Sequence, residues 1–282
     1  TFFALSDRFA ETERLPGGMR LPLRFSGDRA TVQVPGLRHP EKREYVHAPM
    51  AVAVDRAKRQ VTLGVGEQRV TLDEHTWSDW LEWTFEVTPR YKVRAISRCY
   101  LHEAGEHVRL YMTCLQVHPE EPYLQISAPG DYAGELARKH GLFKTVGWWC
   151  DTKALQKDEL TEALFLQQAE RNMAWQSMVA LDELESGEFD LFIAGWTGTD
   201  RVAHMFWRYR DEAHPLHTPD APERFRRAIE TVYGHMDEIV GKVMSKAGPN
   251  DTVMVLSDHG FKSFRTAFSV NTWLARNGYL KV

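Results

Sequence analysis

The chain reads as an α/β protein: a core of parallel strands with flanking helices, incomplete within these residues, plus a β-rich antiparallel accessory region. Three observations predict it. Short apolar runs at 190–196 and 252–256 are bounded by turn residues, as buried strands of a parallel sheet are. Between them, residues 220–246 carry an apolar stripe of helical period, so the order strand, helix, strand reads as a βαβ unit. Upstream, from about Ala30 to Val117, apolar residues alternate with polar ones, the mark of antiparallel strands.

Composition agrees with a globular chain. The 282 residues are 43% hydrophobic and 26% charged, enough for a sizeable core and for two domains. The expected division is residues 1–128 as accessory region and 129–282 as the C-terminal part of the α/β core. A net charge of −4 speaks against a nucleic-acid or polybasic membrane surface. No apolar run is long enough to span a bilayer, and Thr1-Phe2-Phe3-Ala4-Leu5 is not a signal peptide. Cys99, Cys114 and Cys150 have neither zinc-finger nor CxxC spacing, which fits a reducing cytoplasm. The chain opens on Thr rather than Met and closes on Leu280-Lys281-Val282 within an apolar element, so a fragment of a longer polypeptide is expected.

In chain order, Val61, Leu63 and Val65 alternate, as do Val70 and Leu72, with Gly66-Glu67 as a two-residue hairpin turn. A strand over 92–101 joins Val108, Leu110, Met112 and Cys114 through the turn 103–106, and Trp77, Trp80, Trp83 and Phe85 are expected to pack on this meander. Three prolines and a glycine in 119–130 mark a boundary. Beyond it, Asp158 is placed to cap a long helix with the stripe Leu166, Ala169, Met173, Ala180 and Leu184, which ends at Ser186-Gly187. Asp220 and Glu223 make a capping-box pattern before the stripe Phe225, Ile229, Val232, Met236, Ile239 and Val243. Arg224, Arg226 and Arg227 around it read as a solvated face.

Two motifs carry chemistry. The run Val253-Met254-Val255-Leu256 stops at Ser257-Asp258-His259-Gly260, and ligands of open α/β sheets bind at the carboxyl ends of strands. Carboxylate and imidazole suit Zn²⁺, Mn²⁺ or Fe, with Gly260 allowing a sharp turn beneath them. The second run leads into Thr199-Asp200-Arg201-Val202-Ala203-His204, where Asp200 and His204, four apart, share one helical face and can chelate one ion. His214 and His217 fall in a proline-broken loop, and His235 and Asp151 have no partner at ligand spacing.

The stretches Thr199-Asp200-Arg201-Val202-Ala203-His204-Met205-Phe206-Trp207 and Leu256-Ser257-Asp258-His259-Gly260-Phe261 resemble the alkaline phosphatase superfamily. Within it they resemble the type I phosphodiesterase/nucleotide pyrophosphatase branch and its phosphohydrolase and phosphomutase relatives. Asn271-Thr272-Trp273-Leu274 and Asn277-Gly278-Tyr279-Leu280 resemble the segment that follows the Asp-His pair there. The likeness is strong over 190–282 and faint before it. Ala203 departs from the Gly usual before the helix His, which bears on substrate preference more than on metal binding.

The resemblance implies an alkaline-phosphatase-like core and hydrolysis of phosphodiester or nucleotide pyrophosphate bonds in a small nucleotide-like substrate, by two divalent ions, zinc first, with manganese or iron as other candidates. It implies that Asp258 and His259 hold one ion, with an upstream Asp and a nucleophilic Thr or Ser, and that Asp200 and His204 hold the other, with a downstream His. None of those three partners has a counterpart in this sequence. Two ions need at least three protein ligands each beyond a water, and the motifs supply four. Thr197 and Thr199 read as helix caps and Ser257 as the end of a strand, so neither they nor Ser263 is assigned as nucleophile. The chain by itself is therefore expected to be inactive. A phosphomutase or phosphomonoesterase and an inactive binding domain are the alternatives.

Overall fold

The computed structural model describes residues 1–187, 189–263 and 265–281, in two compact units, Thr1–Gly198 and Thr199–Val282. The first unit opens with β1 (Phe2–Ser6), β2 (Glu13–Leu15), β3 (Gly18–Pro22), β4 (Arg29–Arg38), β5 (Tyr45–Asp55), β6 (Gln60–Val65), β7 (Gln68–Asp73), β8 (Leu81–Thr88), β9 (Tyr91–Ser97), β10 (Cys99–Ala104), β11 (Val108–Met112) and β12 (Gln116–Val117). They form a mixed five-stranded sheet in the order β10-β11-β1-β3-β2 and antiparallel sheets in the orders β12-β9-β8 and β4-β5-β6-β7. Among the described residues β1 and β3 are the parallel pair, with Phe3 opposite Met19.

The alternation read from the sequence does what period two requires. Val61 and Leu63 are fully buried and face Leu72 and Val70 across the β6–β7 ladder, with Gly66 turning the hairpin at a φ of 55°. Met50, Val52, Trp83 and Phe85 complete the same core, and Trp83 donates its indole N–H to Ser97 Oγ at 2.8 Å. Each such side chain contributes about 1.5–3 kcal/mol by leaving water.

The strand expected over 92–101 is split. Residues before Arg98 pair with β8 and β12, and those after it pair with β11, so the chain must change sheets between them. Arg98 is buried at the crossing. Its guanidinium donates to Ser78 O (2.8 Å from Nε) and lies over the rings of Trp77 and Trp80, 5.9 Å from each centroid.

Three helices follow: α1 (Tyr132–His140), α2 (Thr152–Leu155) and α3 (Glu162–Glu185). Thr161, not Asp158, caps α3: its extended backbone (φ −81°, ψ 159°) lets its side chain accept from Leu164 N, whereas Asp158 sits at φ 57° in the turn after α2. Thr161→Ala is expected to lower stability by about 1 kcal/mol, read as a shift in the urea midpoint at constant m-value. An unchanged midpoint would mean the cap contributes nothing. Leu164, Phe165, Ala169, Met173 and Ser177 form the buried face of α3.

The parallel core expected in the second half is the main correction. Neither 190–196 nor 252–256 forms a strand, and Ile193 and Leu256 are 83% and 81% exposed. A parallel strand needs hydrogen-bonded neighbours along its edges and cover on both faces. Neither run has such a neighbour among the described residues, so the βαβ unit is not formed. Helices α4 (Gly198–Arg210), α5 (Glu223–Arg226), α6 (Ala228–Lys246) and α7 (Val270–Arg276) complete the chain. At Gly198, the first residue of α4, a side chain would collide with Met173. The single helix expected over 220–246 breaks at Arg227 (φ −97°, ψ 5°). Pro222 disfavours helical backbone at Ala221, so Asp220 does not cap; Ile229, Val232 and Ile239 form the buried part of the stripe, and Ala228 is buried beside them.

Candidate metal centre

α4 supplies the first half of the site. Val202, Ala203 and Phe206 are buried, which leaves Asp200 and His204 on the more exposed face. One helical turn apart, they meet: His204 Nε2 lies 3.3 Å from Asp200 Oδ1. Arg201 Nη1 stands 3.5 Å from the other oxygen, Oδ2. The Ala203 methyl faces the packed side of the helix rather than solvent.

The second half comes from the irregular segment after residue 256. Ser257 Oγ donates to His259 O at 2.7 Å, bracing the turn locally. His259 Nδ1 lies 3.0 Å from Gly260 O, and since a carbonyl only accepts, Nδ1 carries the proton. In the neutral ring Nε2 is then the free lone pair, and it faces Asp200 Oδ1 at 3.5 Å. The Gly260 carbonyl, then Asp258, then Asp200 raise the His259 pKa above its ordinary value against a smaller opposing effect of burial. Asp258 is 91% exposed, with Oδ2 3.9 Å from His259 Nε2. Gly260 takes no left-handed conformation, so its backbone does not itself require glycine.

One carboxylate oxygen thus faces two imidazoles from separate segments, with a second carboxylate beside them. These are hard oxygen and borderline nitrogen donors of the type that holds divalent zinc, manganese or iron. The donors are not yet gathered as a closed set. Among the described residues the three ligand atoms that lie within 4.8 Å of one another belong to His140, Asp182 and Glu183. There Lys139 and His140 already pair with Asp182, and Tyr132 donates to Glu183 at 2.6 Å, so the carboxylates are satisfied as a link between α1 and α3.

The other candidates have local roles. His214 Nδ1 accepts from Leu216 N at 3.0 Å, His217 Nδ1 donates to Arg208 O at 2.9 Å, and His235 is exposed on α6. Thr197 Oγ1 is buried with no hydrogen-bond partner among the described residues, so it does not cap α4. Asp151, without a partner at ligand spacing in the sequence, is a buried structural carboxylate. It accepts from Tyr111 at 2.5 Å and from Lys144 and Gln168 at 3.2 Å each. What the motif reading missed is aromatic: Phe261 lies against both candidate imidazoles.

A family model described as type I phosphodiesterase / nucleotide pyrophosphatase matches residues 54–282. The chain belongs to that family, within the alkaline phosphatase superfamily. The match reaches well before the motif-bearing stretches, into β5. Searches of curated proteins and of solved structures found no match. Membership implies phosphoester hydrolysis of the phosphodiesterase or pyrophosphatase type, in a family generally dependent on divalent metal. No helix is long and apolar enough to cross a membrane among the described residues.

Proposed function

We propose that the protein is a metal-dependent hydrolase of phosphodiester or nucleotide pyrophosphate bonds that uses Asp200, His204, Asp258 and His259 as metal ligands. The observation that carries this reading is the meeting of two separate motifs at one carboxylate, with Asp200 Oδ1 3.3 Å from His204 and 3.5 Å from His259. The proton on His259 Nδ1 supports it too, because the opposite nitrogen is left to ligate. Bound divalent ions, zinc first with manganese or iron as alternatives, would neutralise charge on the phosphoryl oxygens of a small nucleotide-like substrate. The chain's own part is to present two carboxylates and two imidazoles to that charge. Asp258, unrestrained by packing, can turn inward when an ion is present.

Four donors satisfy one four-coordinate ion but not two. The hydroxyls of Thr197, Thr199, Ser257 and Ser263 are not assigned the nucleophile's role, the last two being engaged with His259 O and Asp211. In this reading residues 1–128 are the accessory region and contribute no ligand, 129–282 carry the catalytic part, and the cysteine pattern favours a reducing cytoplasm.

The test compares p-nitrophenol release from bis-p-nitrophenyl phosphate and from p-nitrophenyl phosphate, with Zn²⁺ or Mn²⁺. These 282 residues alone are expected to leave both intact. The polypeptide as its gene encodes it is expected to cleave the diester faster than the monoester. Monoester cleavage alone would instead support the phosphomonoesterase or phosphomutase reading, and silence in every metal a binding domain.

A further inference from the structure

We infer that Phe261 is a positioning residue for His204 and His259, seated by a strap in which 259, 261 and 263 dock in order along one stripe of α4. This rests on the metal-centre reading for its consequence, but not for its geometry. Asp200, His204, Trp207 and Asp211 step by four, three and four residues, so they follow one face of the helix and its first residue beyond. Against them the strap lays alternate residues. His259 reaches Asp200, with 3.5 Å between Nε2 and Oδ1. Phe261 meets the His204 ring edge-on at 4.9 Å between centroids and stacks on Trp207 at 5.8 Å. It also touches the ring of its strap neighbour His259, at 5.5 Å. Ser263 closes the far end, accepting from Trp207 Nε1 at 3.1 Å and donating to Asp211.

The lengths agree. Four residues of extended chain cover about 13 Å, and the eleven-residue step from Asp200 to Asp211 covers roughly 16 Å of helix, so the two rows stay nearly in register. Asp211 is fixed in turn: its other oxygen accepts from Ala213 N at 2.9 Å. The segment that carries Asp258 and His259 has no regular secondary structure, so its position depends on side-chain docking. Phe261 packs against both imidazoles, as the Asp200 carboxylate also does, so losing its ring removes one shared support from each.

Two measurements on Phe261→Ala separate the strap from the metal reading. In metal-free protein, the Cε1–H signals of His204 and His259, assigned through His204→Gln and His259→Gln, are expected to carry the Phe261 ring current and to lose that displacement in Phe261→Ala. Zn²⁺ affinity against a competing chelator is expected to fall about 10- to 100-fold in the same variant, to recover in Phe261→Tyr, and to fall less in Ser263→Ala. Imidazole signals unmoved by Phe261→Ala would overturn the strap, as would a lowered melting temperature with unchanged Zn²⁺ affinity in a protein whose Asp200→Asn variant loses that affinity. If the imidazole signals move while Asp200→Asn leaves Zn²⁺ binding intact, the strap stands and the metal-centre reading fails.

Discussion

Asp200→Asn, made in the polypeptide as its gene encodes it, is expected to lower hydrolysis of bis-p-nitrophenyl phosphate by about 10³-fold. The amide keeps the size and shape of the side chain but not its charge. Asp200 is the group on which His204 and His259 converge, so the substitution removes the shared anion of both motif pairs. It also leaves α4 intact, because the buried Val202, Ala203 and Phe206 hold that helix. Steady-state kinetics beside metal content by atomic absorption make the check. A loss under tenfold with metal retained would place the ligands elsewhere. Acidification should act in the same direction. With His259 as a ligand in the proposed centre, protons would compete with metal at its ring, whose pKa is held above the ordinary value, so metal uptake is expected to weaken on acidification.

Asp151→Ala is expected to cost about 3–5 kcal/mol of stability, the loss found when one partner of a buried ion pair is removed. The Lys144 and Asp151 side chains are only 10% and 3% exposed, and the substitution leaves the ammonium without its anion. Tyr111, Cys114 and Gln168 lose an acceptor at the same time. Urea unfolding followed by tryptophan fluorescence reads the loss, and a cost below 1 kcal/mol would show that the carboxylate does not hold this region. The double variant Asp151→Leu/Lys144→Met should recover much of it, since no charge is then stranded.

The same pair sets a pH window. Burial by itself would raise the Asp151 pKa, but Lys144, Tyr111 and Gln168 together hold it below the ordinary carboxylate value. Its contribution is therefore present above the unfolded pKa of about 3.9 and is lost as pH falls through the lower folded value. Burial alone would lower the Lys144 pKa, yet Asp151 keeps it raised. That contribution is complete below the unfolded value of about 10.4 and is lost as pH rises through the folded one. Asp151→Ala should remove the loss at acid pH and reverse the slope at alkaline pH, because burial then holds the unpaired Lys144 below its unfolded pKa and stability rises as it loses its proton.

How far the sequence could be read depended on the range of the interaction being read. The alternation of Val61, Leu63 and Val65 needs only that one face be covered, and it gives β6 and its hairpin to β7. The four-residue step from Asp200 to His204 is a property of any helix, and on α4 it brings a nitrogen within 3.3 Å of an oxygen. Family membership was likewise legible in two short stretches that carry their residue types in fixed order. Where a choice hung on competing neighbours, local pattern was not enough. Asp158 and Thr161 are both acceptable caps, and backbone conformation chose Thr161.

The rest was decided only in three dimensions. An apolar run such as Val253-Met254-Val255-Leu256 has strand character, but a strand exists only where another edge pairs with it, and among the described residues none does. Arg98 looks like one more strand residue until β9 and β10 are seen to enter different sheets. Asp151 has no partner nearby at ligand spacing, yet Tyr111, forty residues away, donates to it. The strap was written in the chain as a period of two at 259, 261 and 263 and a stripe at 200, 204, 207 and 211. Each half has an ordinary local meaning, and only their docking, more than fifty residues apart in the case of Trp207 and Ser263, joins them. Periodicity and motif spacing are short-range properties carried by the order of residues; which sheet edge, buried charge or aromatic ring each one meets is set by long-range packing between segments far apart in the chain.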